Sequence, residues 1–313
     1  MTKREPASGS GPFWQRIWKY RLFYLLILPG MLYYIIFCYL PMFGVIIAFK
    51  DIKPFHSVQQ ILTAKWVGLK HFRNFFTSYY FGNVLSNTLI IGGMRIVIGF
   101  PVPIILALLI NEVRNKRYKK VVQTVSYLPH FISMVVLAGL VTTLTSTETG
   151  AINVLIKALG GTPVNFMGDP HVFRWTLVFS NLWKEAGWGT IVYLAAITGV
   201  NPELHEAAVL DGCNKWQRTL HITLPGIAPT ISVMLIMSVG TFINAGFEQV
   251  LLMYSPSVYS VSDIIDTFVY REGLLSMKYS YSAAVGLFKS IVAAILLLFS
   301  NWAAHKMDQP GIW

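Results

Sequence analysis

The chain has 313 residues, of which 54% are apolar, 14% aromatic and only 12% charged, with a formal net charge of +11. So apolar a composition excludes an ordinary soluble globular domain and points to a membrane protein. The basic residues lie in the N-terminal tail and in loops rather than in a nucleic-acid-binding pattern, which leaves membrane orientation and lipid headgroups as their role and no nucleic acid as a partner.

Residues 1–21 begin polar and rich in Gly and Ser, then set Trp14, Trp18 and Tyr20 among Arg16, Lys19 and Arg21. This is the make-up of a basic, aromatic interfacial anchor on the cytoplasmic side. The apolar run 22–49 is too long for a signal-peptide core and lacks a small-residue cleavage site, so it reads as a first membrane helix kept in the mature protein, kinked at Pro29 and Pro41. Residues 50–83 are mixed. Further apolar spans cover about 84–110, 121–145, 172–200, 226–254 and 283–303, each long enough for about 30 Å of hydrocarbon. The expected fold is an all-α membrane protein of six transmembrane helices, one permease domain over 22–303 with no duplicated halves, a connecting loop at 201–225 and a tail at 304–313. Cys38 and Cys213 fall in a span and in that loop, which suits free thiols rather than a disulfide framework.

Orientation follows from Lys and Arg. With the N-terminus inside, inner segments hold 13 of them and outer segments 9, and the densest run, Arg114 to Lys120, sits in the shortest loop, where the positive-inside rule is most reliable. Both termini and the loop 201–225 are then expected in the cytoplasm.

That loop has its own local code. Asn201 can cap a helix whose first residue, Pro202, loses nothing by lacking an N–H; Glu203 and Glu206 suit its positive end, and Gly212 offers a left-handed exit. Asn214 and Gln217 can then cap a second helix carrying Trp216, Leu220 and Leu224 at a spacing of four. The segment reads as a helix-Gly-helix elbow, with small Ala207 and Ala208 permitting close approach by another surface. Spacing alone equally suits an ordinary amphipathic connector.

The sequence has no Gly-Lys pair and so no glycine-rich phosphate loop, no metal-ligand spacing among its seven scattered His, and no nucleophile elbow. Energy for uphill movement must then come from a partner or from an ion gradient. Ionisable residues fall within the spans, Arg95, Lys184, Glu185, Glu248 and Lys289 among them, where each costs about 2.5–3.5 kcal/mol at the bilayer centre unless it meets a cavity, a subunit or another charge. Lys184 and Glu185, adjacent and so about 100° apart around a helix, are expected to need partners on other helices. Asn181, Lys184, Glu185 and Trp188 share one face of the fourth span, and Thr241, Asn244 and Glu248 share one face of the fifth. Polar groups among aromatic rings suit sugar hydroxyls and pyranose faces, so these stripes are the candidate translocation path. The competing reading makes Glu185 and Glu248 interhelical ion-pair anchors that never meet substrate, and assigns Arg95 and Lys289 to structure.

Glu206-Ala207-Ala208, Gly212 six residues after the Glu, and Ile222-x-Leu224-Pro225 ending the phrase together resemble the cytoplasmic signature loop of permease subunits of binding-protein-dependent type I ABC importers. Trp66-Val67-Gly68-Leu69-Lys70-His71-Phe72 with Asn87-Thr88-Leu89 resembles carbohydrate-importer permeases. Gly160 to Phe166, Ser255 to Tyr259, Gly286 to Ser290 and Gly311-Ile312-Trp313 resemble a narrower branch associated with complex oligosaccharides in Gram-positive bacteria. The resemblance implies a non-catalytic transport subunit in a bacterial plasma membrane. It implies as partners a homologous second permease, two copies of an ABC ATPase subunit, an extracellular solute-binding protein and a carbohydrate, with ATP and Mg on the partner subunits and no cofactor on this chain. It assigns Glu203, Glu206, Ala207, Ala208, Asp211, Gly212, Ile222, Leu224 and Pro225 to coupling with the ATPase. The rival expectation is an ion-coupled secondary transporter working through Glu185 or Glu248.

Overall fold

A computed structural model describes residues 17–54 and 57–312; the anchor residues Trp14 and Arg16 and the final Trp313 lie outside the described residues. Helix α1 (Arg21–Phe49) is apolar and exposed almost all round, as a helix facing lipid or another subunit must be. Only its end, Phe43–Phe49, packs on the last helix. A short helix, α2 (Lys70–Phe76), precedes α3 (Phe81–Asn111). Within α3 the turn Arg95–Gly99 widens to a π-helix just before Pro101, which has no N–H to donate back and so frees the carbonyls beneath it.

The region expected to be one helix over 121–145 is instead α4 (Lys116–Phe131) and α5 (Met134–Leu144), bent by 101° at the break. Pro129 tightens the end of α4 into a 3-10 turn, and the Ser133 hydroxyl accepts from Val136 N–H to start α5 afresh. Past the short α6 (Ala151–Ala158), Asp169 caps α7 (Pro170–Thr198), 29 residues or about 43 Å long. Helix α7 lies along the Pro101–Asn111 half of α3 and crosses α4 at Gly187, where a Cβ would come within 1.9 Å of the Ser126 carbonyl oxygen.

Helix α8 (Pro202–Leu210) forms the elbow. The fifth expected span, 226–254, is interrupted. Helix α9 (Ala228–Thr241) runs into a 3-10 turn, then Ala245 and Gly246 adopt left-handed backbone at φ 44° and 75°, and α10 (Phe247–Met253) resumes. Helix α11 (Tyr279–Lys306) closes the bundle against α9 and the end of α1. Among the described residues four helical segments, α1, α3, α9 with α10, and α11, are long and apolar enough to cross a membrane, five if α4 and α5 count as one bent span. Helix α7 has the length but carries Arg174, Lys184 and Glu185, so the uninterrupted apolar spans are fewer than the six expected.

One end of the bundle gathers the elbow, Glu112 just past α3 and the C-terminal tail, through Lys215 Nζ to Glu112 Oε2 at 2.9 Å, Ser232 Oγ donating to the Pro310 carbonyl at 3.4 Å, and Ile312 N–H donating to Asn301 Oδ1 at 2.8 Å. The other end is fastened by a charged network. Arg271 grips Asp263 with two nitrogens at 3.0 and 2.6 Å, Lys289 meets both oxygens of Asp266, and Arg174 holds Asn87 Oδ1 at 2.6 Å. Hydrogen bonding to the Asp263 carboxylate raises the Arg271 pKa above the ordinary guanidinium value, so the guanidinium of this clamp keeps its charge. Apolar clusters around Ile91, Leu177 and Val250, and around Ile104, Tyr193 and Ile227, flank the middle of α3 and α7. The space between those clusters is the candidate site.

Candidate functional site: a central cavity and an exposed elbow

A cavity of about 710 Å³ lies between the π turn of α3, the middle of α7 and the α9–α10 break. Its volume falls in the range of small-molecule sites. Asn181, Glu185 and Trp188 of α7 line it together with Thr241 and Asn244, so two stripes from different helices do meet there.

Two expected members do not join them. Lys184 is buried in the wall, where its Nζ donates to the His130 carbonyl at 2.7 Å and pairs with Glu185 Oε1 at 3.0 Å. The partner expected on another helix is His130 of α4, and side-chain length lets the two neighbours meet each other as well. Both stems reach toward α4, where His130 Nδ1 meets Glu185 Oε2 at 2.8 Å, so a salt bridge forms despite the angle between their Cβ atoms. Glu248 is exposed and does not line the cavity; the helical spacing from Asn244 fails because Ala245 and Gly246 break the helix phase. The next residue, Gln249, is fully buried and donates to Ser180 Oγ at 2.8 Å and the Leu177 carbonyl at 3.1 Å.

The cavity also takes residues that the sequence pattern did not select. Arg95, expected to be structural, lines it from the π turn, donating to Asn181 Oδ1 at 3.3 Å and to Gln249 Oε1. Gly246 suits this position because its φ is left-handed, and a Cβ here would also force the end of the Arg95 side chain to shift. His130 stacks its ring flat on Trp188, 4.4 Å between centroids and 3° between planes. No periodicity flags His130, because it belongs to the 3-10 turn that ends α4.

The elbow follows its local code closely. Asn201 Oδ1 accepts from Glu203 N–H at 3.0 Å to start α8. The exit is a Schellman arrangement, with Gly212 N–H to the Val209 carbonyl at 3.1 Å, Cys213 N–H to the Ala208 carbonyl at 2.9 Å, and Gly212 at φ 78°. Asn214 and Gln217 form a reciprocal capping box at 2.8 and 2.9 Å. Residues 219–223 then widen to a π turn ahead of Pro225, and Gly226 lets the returning chain approach Val200 closely. Glu203, Glu206, Ala207, Asp211 and Gly212 are exposed, whereas Ala208 is buried beneath the helix and is therefore not open to an approaching surface. Of the closing residues, Pro225 is exposed and Ile222 and Leu224 are half-buried. Leu204, Val209, Leu210 and Trp216 are apolar and exposed, Leu210 at 89%. An apolar, capped knob of this kind is shaped to be covered by another protein.

Residues 99–309 match the family model described as binding-protein-dependent transport system inner membrane component. The chain is 45% identical over 308 residues to Protein LplB of Bacillus subtilis (strain 168), covering 98% of this chain and 96% of the relative. It is 46% identical over 290 residues to the polygalacturonan/rhamnogalacturonan transport system permease protein YteP of the same organism, covering 93% and 89%. Among solved structures it is similar to a chain of a bacterial ABC transporter involved in the import of the acidic polysaccharide alginate, with 43% identity, a TM-score of 0.87, and coverage of 94% of this chain and 98% of that one. A chain of the bacterial alginate ABC transporter in complex with an alginate pentasaccharide-bound periplasmic protein gives 41% identity, a TM-score of 0.88 and coverage of 96% and 99%.

Proposed function

The chain belongs to the binding-protein-dependent transport system inner membrane component family, and from that premise we propose that it is the oligosaccharide-conducting permease subunit of an ATP-driven importer. It is a multi-pass, non-catalytic transport subunit of the plasma membrane. It pairs with a second permease, with ATPase subunits that bind ATP and Mg, and with a binding protein that delivers the sugar outside. In this reading the elbow and both termini face the cytoplasm, as the Lys and Arg distribution favours.

The elbow carries the proposal. Its exposed face sets Leu204, Val209 and Leu210 beside Glu203, Glu206 and Asp211, and it is joined at both ends to cavity walls: α7 stops at Thr198 just before it, and α9 starts at Ala228 just after it. A motor that seizes the elbow therefore pulls on Asn181, Glu185 and Trp188 through α7 and on Thr241 through α9. Closure of the ATPase pair on ATP would part or join the two stripes and so alternate access to the cavity. Glu203, Glu206, Ala207, Asp211 and Gly212 supply the docking face and its turn; Ile222, Leu224 and Pro225 supply the stiff return. The ion-coupled alternative loses support from the geometry, since Glu248 stands off the cavity and Glu185 is engaged by Lys184 and His130.

The test is uptake of a labelled oligosaccharide into proteoliposomes holding the complete complex, with loaded binding protein outside. Uptake is expected only with ATP on the ATPase side. Uptake driven by a proton or sodium gradient without the ATPase would refute the proposal.

A further inference from the structure

We propose that Arg95 reads a carboxylate on the transported chain, making this permease selective for acidic, uronic-acid-containing oligosaccharides over neutral ones; this rests on the reading of the chain as an oligosaccharide permease. The argument is one of charge. Three other cations within the bundle are each matched to a carboxylate, Arg271 to Asp263, Lys289 to Asp266 and Lys184 to Glu185. Arg174 has neutral partners, Asn87 and the Val261 carbonyl, but lies off the cavity.

Arg95 alone combines a place on the cavity wall with uncharged partners: its two terminal nitrogens donate to the side-chain amides of Asn181 and Gln249, and among the described residues it makes no ion pair. An amide oxygen orients a guanidinium without cancelling its charge, and a planar fork of five donors suits a carboxylate better than any neutral acceptor. Its Nε is buried without a partner. The acidic group of the same wall is already committed, Glu185 being held by Lys184 and His130. The fixed charges of Arg95, Lys184 and Glu185 sum to one net positive charge at the site. Glu185 also acts on Arg95 electrostatically but is shared with Lys184 and His130, so the positive charge is only partly offset and an anionic ligand relieves the remainder. The backbone is shaped around this group, since Gly246 leaves the space that a Cβ would take from the guanidinium.

The experiment measures equilibrium binding of labelled trigalacturonate and of its carboxyl-reduced, neutral counterpart to the detergent-solubilised complex of both permeases and the ATPases, without binding protein. The wild type is expected to hold the acidic chain about tenfold or more tighter, the scale of one charge-assisted pair. Arg95→Gln should abolish that preference by lowering the affinity for the acidic chain about tenfold more than the affinity for the neutral one, and Arg95→Lys should keep most of the preference by keeping the charge. Equal affinities in the wild type, no binding of either chain by the assembled complex, or an equal loss for both chains in Arg95→Gln would overturn the proposal. A complex that imports oligosaccharides with ATP yet shows no charge preference would remove the role of Arg95 and leave the permease function standing; absence of any ATP-driven uptake would remove both.

Discussion

The side-chain caps that shape the elbow join residues two or three positions apart, Asn201 to Glu203 and Asn214 to Gln217, whereas at the cavity Arg95 bonds to residues 86 and 154 positions away and His130 to one 55 away. The elbow therefore keeps its shape when it is moved as a unit. The cavity, by contrast, exists only while α3, α7 and α9 with the break that follows it hold one particular arrangement. A part that stays rigid while displaced, joined to a part whose chemistry depends on helix positions, is what converts a push at one end of the bundle into opening and closing at its middle. Changes in the elbow should therefore alter coupling with little effect on folding, and changes in the cavity wall should alter both.

The largest effect is expected where the comparison is most severe. Gly187→Val drives a Cβ into the Ser126 backbone oxygen, which cannot step aside, so the α4–α7 crossing that places His130 against Trp188 should fail. Overpacking costs typically about 1–3 kcal/mol and more against a fixed backbone. The thermal midpoint of the purified complex should fall sharply, and a midpoint within a degree of wild type would count against the packing described. Gly212→Val has open space around it, so its penalty is confined to the left-handed φ, about 1–2 kcal/mol. It should leave the complex assembled while uptake drops severely; normal uptake would break the link between the elbow's shape and transport.

Glu185→Gln probes the wall more gently. It leaves Lys184, only 7% exposed, bonded to the His130 carbonyl but without its carboxylate, at a cost of about 1–3 kcal/mol. Reduced thermal stability with uptake lost more than the midpoint shift explains is expected, and an unchanged midpoint would mean that the salt bridge contributes nothing to the wall. At the small end, Asn201→Ala removes one cap bond, worth about 1 kcal/mol, and Lys215→Ala removes an exposed ion pair to Glu112, worth at most about 1 kcal/mol. Both should leave the midpoint nearly unmoved, and a large shift for Lys215→Ala would mean that the elbow is less autonomous than its caps imply.

The same contrast explains what could be read in the sequence. The elbow was legible because Asn201, Pro202, Gly212 and the Asn214–Gln217 box act through neighbours in the chain. The apolar runs were legible as helices, but not their interruptions: the 101° bend between α4 and α5, set by Pro129 and the Ser133 cap, and the left-handed step at Ala245–Gly246 fall inside apolar runs and leave no mark in a hydropathy pattern. That step is why Glu248 was expected on the cavity and Gln249 is found bonded to Arg95 instead. Helical spacing assumes an unbroken helix, and Ala245, a residue that rarely adopts positive φ, gave no warning. His130 was hidden, and Arg95 was singled out but assigned to structure, because the significance of both comes from Glu185, Trp188, Asn181 and Gln249 on other helices. Ala208 shows the limit even in the elbow: small size marked it for close approach, but only the fold says that the approaching surface is its own chain.

The central claim is that the elbow is the handle by which a nucleotide-driven partner works the cavity. A photoreactive residue placed at Ala207, exposed on α8, and the same residue at Tyr79, 87% exposed at the opposite end of the bundle, test it directly in membranes containing the whole importer. The account predicts that the Ala207 probe captures the ATPase subunit and the Tyr79 probe does not. Capture of the ATPase from Tyr79, or of the external binding protein from Ala207, would contradict it.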